Sequence, residues 1–474
     1  MIASNRLPVR LTGDDGGVPV LEPSAGGLVA ALAGVADRSA WIGWPGGVVP
    51  AEAEPELRSR LAADGLHPVF LDRAEEANYY GRICNETLWP LFHDFDDRVH
   101  FGADAWRRYV AVNERFAAEI DACSPAGARV WIHDFHLLLV PAELRRRRPD
   151  LAIGFFLHTP FPAPAQLGLL PTGAEVVRGL LGADYAGFQT QSDATSFSAA
   201  CGALLGFEPG PGAIGVEPAG IDCDRFRELL GRPETAELGE ALEQRYRGRR
   251  LVLGVERLDY TKGIPQKLAA FERLLERAPT DAPPTVLLQV IVPSRLDSAA
   301  SFAQRDEIDR AAARINERFG PAGHSALGGR AAGMGEPGPP PVECLHRSVS
   351  PAELAALYSR ADVMAVTPLR DGMNLVAQEF VLCQGAAPRS AGRPPGVLLL
   401  SELAGAAQSL PGALLVDPRD SAAMAARLAE ALELAPAERR RRLELLGDAV
   451  DRLDCHRWAE RFLAGLEQAA AVPV

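Results

Sequence analysis

The sequence predicts an α/β protein built as two Rossmann-like, doubly wound parallel-sheet domains facing across a cleft, and three observations predict it. Short, continuously apolar runs alternate with helical patterns along the chain, as expected of strands buried on both faces of a parallel sheet. The alternation runs through two successive series, and 474 residues are too many for one ordinary domain but suit two. Clusters of polar residues follow the strands in both halves, at the carboxyl ends where open α/β sheets bind ligands.

In chain order, residues 40–44 (A-W-I-G-W), 68–71 (P-V-F-L), 130–133 (V-W-I-H) and 152–157 (A-I-G-F-F-L) read as buried strands. Residues 104–123 carry Trp106, Val110, Phe116 and Ile120 at helical spacing, and 184–188 and 213–216 continue the strand series. Residues 222–246 read as a link. The second series comprises 251–255, 285–292, 362–366 and 397–400, with helical patterns between them. Residues 320–341, rich in Gly and Pro, read as a mobile loop, and 418–468 are mostly helical.

Composition excludes several classes of function. Hydrophobic content of 47% supports a large core, and a net charge of −13 argues against nucleic acid or an anionic membrane as a partner. Any phosphorylated substrate must therefore be held by local cations. The seven cysteines are scattered and odd in number, which fits a reducing cytoplasm. No apolar run reaches membrane-spanning length, and the first residues do not form a signal peptide. No Gly-x-Ser-x-Gly elbow, Walker lysine loop or zinc spacing is present, so binding groups dominate over a covalent catalyst and no metal is expected.

The loop chemistry centres on residues 366–379, V-T-P-L-R-D-G-M-N-L-V-A-Q-E. Pro368 and Gly372 break the strand and helix periods, so Arg370, Asp371 and Asn374 fall on a strand-to-helix turn. The helix that follows keeps Val376, Phe380 and Cys383 on one face. A helix N-terminus attracts anions, whereas Asp371 and Glu379 suit hydroxyl groups; an anion joined to a polyol is what a sugar nucleotide presents. The same residues also fit a helix cap at Asp371 with a solvated Glu379. Arg257 and Lys262, on one glycine-ended loop, suit a diphosphate, although Lys262 could equally pair with Asp259 at the surface. Residues 24–28 (S-A-G-G-L) form a glycine loop before a helical pattern, which suits a phosphate or a plain turn. His158, before Pro-Phe-Pro, could be a ligand-facing or a core histidine. Tyr80 and Trp89 flank a segment containing His93, and could be core or a sugar platform.

Together and in order, S-N-R-L-P at 4–8, the 24–28 loop, L-W-P at 88–90, W-I-H-D at 131–134, H-T-P-F-P at 158–162, residues 255–263 and residues 367–379 resemble the trehalose-6-phosphate synthases. That family consists of retaining glycosyltransferases of the GT-B type. The resemblance implies glucosyl transfer from a nucleoside-diphosphate glucose (UDP- or GDP-glucose, as co-substrate) to glucose 6-phosphate, without a cofactor. It implies an acceptor domain over residues 1–228, with a C-terminal helix at about 452–474 packing back on it, and a nucleotide-sugar domain over 229–451. Arg6, Trp44, Tyr80, Trp89, Asp134 and Arg295 would bind the acceptor. Gly26, Gly27, His158, Arg257, Lys262, Asp371, Gly372, Met373, Asn374, Leu375 and Glu379 would bind the donor. Asp134, His158, Arg257, Lys262 and Asp371 would carry the chemistry. The expected partners are small molecules, with neither nucleic acid nor membrane, and a homo-oligomer is allowed. Four features depart from the family: only Met1-Ile2-Ala3 in place of a longer apolar run before Ser4-Asn5-Arg6, a short 206–213 segment, a long 320–341 loop, and Gln378 where a lysine is expected. Related transferases acting on another phosphorylated acceptor (glucosylglycerol-phosphate synthase or a cyclitol pseudo-glycosyltransferase) and a non-catalytic sugar-phosphate-binding homologue are the alternatives.

Overall fold

A computed structural model describes residues 1–15, 18–23, 32, 40–210, 212–293, 299–320, 338–386 and 393–471. Residues 24–28, with Gly26 and Gly27, residue Arg295, and most of the 320–341 segment lie outside the described residues. The chain forms two compact units, Met1–Ala219 with Cys455–Val474, and Gly220–Asp454.

In the first unit, strands β1 (Ile2–Arg6), β4 (Trp41–Trp44), β5 (Leu66–Pro68), β6 (Arg129–His133), β7 (Ala152–Phe156), β8 (Tyr185–Phe188) and β9 (Ile214–Val216) make one sheet in the order β5-β4-β1-β6-β7-β8-β9. Every neighbouring pair is parallel. A separate antiparallel hairpin joins β2 (Val9–Asp15) to β3 (Val18–Pro23). Strand order therefore reverses at β1, which lies between β4 and β6. The helix Cys455–Ala470 packs on this sheet: the Phe462 ring stacks on Trp131 at 4.4 Å, and a Cβ added to Gly154 would come within 2.8 Å of Phe462.

In the second unit, β10 (Arg250–Arg257), β11 (Thr285–Val292), β12 (Val342–Leu345), β13 (Val363–Val366), β14 (Val397–Ser401) and β15 (Leu414–Val416) are parallel in the order β12-β11-β10-β13-β14-β15. This is the Rossmann order, reversing between β10 and β13. Alternate residues of β10 serve opposite faces: Leu251, Leu253 and Val255 join one apolar cluster, and Val252 joins the other. Burial on both faces explains why these strands are continuously apolar.

The first strand runs from Ile2 to Arg6 inside its sheet, and its polar members are satisfied: Ser4 accepts from Trp41 Nε1 at 2.8 Å, and Asn5 from the Tyr79 hydroxyl at 2.9 Å. One expectation needs correction: the strand expected at 68–71 ends at Pro68, and Val69, Phe70 and Leu71 are buried without belonging to a strand. The 222–246 link consists of two helices, Cys223–Leu230 and Pro233–Arg245.

One buried charge lies inside the second unit. Lys267, fully buried, pairs with Glu256 at the end of β10, and Gln289 of β11 donates to the other Glu256 oxygen and accepts from Lys267 at 3.2 Å. Removing one member leaves an uncompensated charge, whose cost exceeds the worth of the intact pair. Lys267→Met should lower the stability of this unit by about 3–5 kcal/mol in denaturant titration. A cost below about 1 kcal/mol, the range of an exposed pair, would contradict the buried-pair assignment.

Candidate active site

Each unit gathers its candidate residues where strand order reverses. In the second unit, Arg257 through Gly263 follow β10, and Thr367 through Asn374 follow β13. The two loops are joined directly: Leu369 N–H donates to the Thr261 carbonyl at 2.7 Å. Gly263 sits at φ +66°, and a Cβ there would lie 2.3 Å from the Thr367 carbonyl oxygen, so the close approach requires glycine.

Lys262, only 8% exposed, points its ammonium at Asp371 Oδ2, 2.7 Å away. It does not pair with Asp259, whose carboxylate instead accepts from Thr261 N–H at 3.0 Å and from its hydroxyl at 2.9 Å. Asn374 Nδ2 also donates to Asp371 Oδ2, at 3.0 Å. The cap of the helix Leu375–Ala386 is Asn374 rather than Asp371: Asn374, at φ +91°, accepts from Ala377 N–H at 3.3 Å. Asp371 is further fixed by a backbone bridge to Ala404, with its N–H on Leu403 and its carbonyl accepting from Gly405.

Glu379 is half-buried and hydrogen-bonded rather than freely solvated. It accepts from the Tyr358 hydroxyl at 2.7 Å, and burial pushes its carboxyl above the usual range. Gly372 and Met373 are buried, with Met373 in the apolar core and Leu375 packed against it, so these positions offer a ligand main chain rather than side chains. Gln378 is fully buried, so the lysine-to-glutamine departure falls on an inward-facing position. Arg257 is exposed at the end of β10.

In the first unit, the Arg6 guanidinium lies 3.8 Å from the centre of the Trp44 ring and 5.1 Å from that of Tyr80. Gly46, at φ +84°, makes room for it: a Cβ there would fall 2.0 Å from Arg6 Nη1. Tyr80 stacks at 6.1 Å on His136, whose Nδ1 is 3.8 Å from Asp134 Oδ2. Tyr80 belongs to a π-helical stretch, Glu76–Leu88, and Trp89 follows it against His93 and Phe135 at 4.0 and 5.7 Å. Arg6, Trp44, Tyr80 and Asp134 thus gather around the reversal at β1, with Trp89 alongside them on Phe135.

Asp134 has φ 75° and ψ 167°, a region almost confined to glycine. Holding it there costs about 1–3 kcal/mol, and strain of this kind clusters at functional sites. Its N–H donates to Phe156 at 2.8 Å, and its Oδ1 accepts from the His158 N–H at 3.3 Å. His158 Nε2 lies 3.1 Å from Nδ1 of His133, which is fully buried.

Sequence reasoning singled out neither His133 nor His136 as a site residue, and it missed Tyr358. The two histidines lie in W-I-H-D-F-H, but strand alternation does not show which of them turns toward the ligand edge. His67, Glu119 and Cys123 bring possible metal-binding atoms within 4.8 Å of one another and share no residue with either gathering. Among the described residues no helix is long and apolar enough to cross a membrane.

Two Rossmann-like sheets, each with cations and carboxylates at its strand reversal, form the architecture of a glycosyltransferase that uses a nucleotide sugar. The chain belongs to glycosyltransferase family 20, whose family description matches residues 1–468. It is 39% identical over 501 residues to the trehalose-6-phosphate synthase of Mycobacterium avium (strain 104), covering 99% of this chain and 95% of that one. It is 36% identical over 487 residues to an alpha,alpha-trehalose-phosphate synthase (UDP-forming) A of Dictyostelium discoideum, covering 99% of this chain but 63% of that relative, less than two thirds of its length. A crystal structure of the Burkholderia xenovorans alpha,alpha-trehalose-phosphate synthase (UDP-forming) in complex with glucose-6-phosphate superposes with a TM-score of 0.82, at 31% identity over 98% of this chain and 99% of that one.

The two coupled imidazoles predict an acid-sensitive fold. Burial holds His133 well below its ordinary pKa and His158 down to about 3. Below about pH 6.5 the unfolded chain takes up protons that the folded chain refuses, so stability falls as pH drops from 6.5 toward 3. The slope is about 1.4 kcal/mol per pH unit for each imidazole. Urea midpoints should fall between about pH 7 and about pH 5, less steeply in His158→Gln. Equal slopes in the two proteins would contradict the assignment.

Proposed function

We propose that the protein transfers glucose, with retention, from a nucleoside-diphosphate glucose to glucose 6-phosphate, giving α,α-trehalose 6-phosphate. The observation that carries this reading is the coincidence of the nearly full-length family match with the gathering of Arg6, Trp44, Tyr80 and Asp134 in one unit and Arg257, Lys262, Asp371 and Glu379 in the other. Relatives named as UDP-forming favour a UDP-linked donor, and the glucose-6-phosphate complex of a similar structure favours that acceptor.

In this reading the second unit takes the nucleotide end of the donor. Arg257 and Lys262 neutralise the diphosphate, Asp371 and His158 accept and donate bonds to the glucosyl hydroxyls, and Glu379 meets the ribose. The first unit takes the acceptor, with Arg6 on the phosphate, Tyr80 and Trp89 as its walls, and Asp134 on its hydroxyls. Arg295 and the amide of Gly27 complete the phosphate contacts by family resemblance. The bond from the anomeric carbon to the diphosphate breaks, and the acceptor's anomeric hydroxyl oxygen takes its place on the same face. Its proton passes to the departing diphosphate oxygen, so no side-chain base is needed. Preorganised positive charge on the leaving group lowers the barrier, and this reading requires no divalent ion.

Lys262 would gain a partner during the cycle. Its ammonium has three donors, so it can keep Asp371 while adding a phosphate oxygen. Lys262→Ala removes a charge-assisted bond worth roughly 1.5–3 kcal/mol and should slow transfer roughly 10- to 150-fold. Initial rates of Lys262→Ala and Arg257→Ala at wild-type level would overturn the donor assignment.

A further inference from the structure

His133 has no role in the reading above, yet it is the fully buried partner of a candidate sugar-binding histidine. Its ring is packed among four others: Trp131 at 4.6 Å, His158 at 5.3 Å, Trp458 at 6.3 Å and Phe156 at 6.4 Å. Nδ1 faces His158 Nε2 at 3.1 Å, whereas Nε2 is buried without a hydrogen-bond partner among the described residues. The indole N–H groups of Trp131 and Trp458 are likewise buried without a partner among the described residues. Both are donors, and phenylalanine has neither donor nor acceptor, so among these four rings only His158 can accept a hydrogen bond.

A neutral imidazole carries one proton, and burial keeps both of these rings neutral near pH 7. A proton on His133 Nε2 would be a buried donor with no acceptor among its ring neighbours, which is the costlier choice. On Nδ1 it has an acceptor, His158 Nε2. That bond occupies the Nε2 lone pair of His158 and leaves the His158 proton on Nδ1.

We infer that His133 is a positioning residue that locks His158 as its Nδ1–H tautomer, so that His158 offers its ligand a hydrogen-bond donor and never an acceptor. The ligand atom opposite must then be an oxygen that accepts, as a sugar hydroxyl does, and the hydroxyl's own hydrogen must go to another group, such as a carboxylate. This deepens the transferase reading and rests on it only for what the N–H meets; the tautomer itself is a property of the ligand-free protein. Trp458 extends the device to the C-terminal helix, whose ring closes the nest around both histidines at 6.3 and 5.9 Å.

The test is nitrogen-15 NMR of the histidine side chains in the full-length protein without ligand, with the His158 signals assigned by their loss in His158→Gln. At neutral pH, Nδ1 of His158 should show the shift of a protonated nitrogen and Nε2 that of a bare one. His133→Asn keeps an amide donor near the same place and should preserve this pattern. His133→Phe keeps the packing but removes the donor, and should move His158 toward the Nε2–H form that unrestrained imidazole favours. In parallel, kcat should fall roughly tenfold in His133→Phe, as loss of one well-placed hydrogen bond implies, and recover in His133→Asn. A wild-type His158 protonated on Nε2, or a His158 tautomer unchanged in His133→Phe, would overturn the inference whatever the enzyme's substrates prove to be. Absence of wild-type transfer from UDP-glucose to glucose 6-phosphate with the NMR pattern intact would instead count against the substrate assignment.

Discussion

A strand buried on both faces has little room for polar side chains except at its ends, and this constraint places almost every candidate residue in the protein. Parallel order puts all the carboxyl ends of a sheet on one edge, and the reversal of strand order opens a crevice there between two loops that leave in opposite directions. In the second unit that crevice lies between β10 and β13, and the Lys262–Asp371 ion pair spans it. In the first it lies beside β1, where Arg6 leaves the strand toward Trp44 and Tyr80. Glu256, a buried charge within a strand, is tolerated because Lys267 and Gln289 satisfy both its oxygens.

The electrostatics follow from the same placement. A protein of net charge −13 repels phosphorylated sugars at long range, so it must concentrate cations where the sheets end. It does so with partners already in place. Lys262 is held by Asp371, and Arg6 lies against two aromatic rings, which limits the side-chain entropy lost when a ligand arrives. The strained Asp134 backbone fits this picture: a carboxylate kept in a glycine-like conformation is over-determined by its surroundings, here by its N–H on Phe156 and its Oδ1 under His158.

The sequence displayed the parts of the fold that depend on continuous burial. Residues 285–292 form β11 as expected, and the helix after Asn374 begins at Leu375, because an apolar run between breakers leaves few alternatives. The misses occur where burial and strand pairing part company. Val69 to Leu71 are buried but not a strand, and β12 carries Glu343, whose bond from the Tyr246 hydroxyl at 2.5 Å lets a charged residue sit in a strand. The loop residues that carry the family resemblance could be read directly, since their identities are chemical. Their partners could not. Nothing in the order of residues shows that Lys262 chooses Asp371 over Asp259, that Tyr358 meets Glu379, or that His133 lies behind His158, because each pairing joins residues brought together only by strand order.

The central claim is the reaction itself, and proton NMR of one reaction mixture tests it most directly. Purified protein, UDP-glucose and glucose 6-phosphate should yield a disaccharide phosphate whose two anomeric protons both show the small coupling of α linkages, with UDP released in equal amount. A β-linked product, release of free glucose without a disaccharide, or equally rapid use of unphosphorylated glucose would contradict the account.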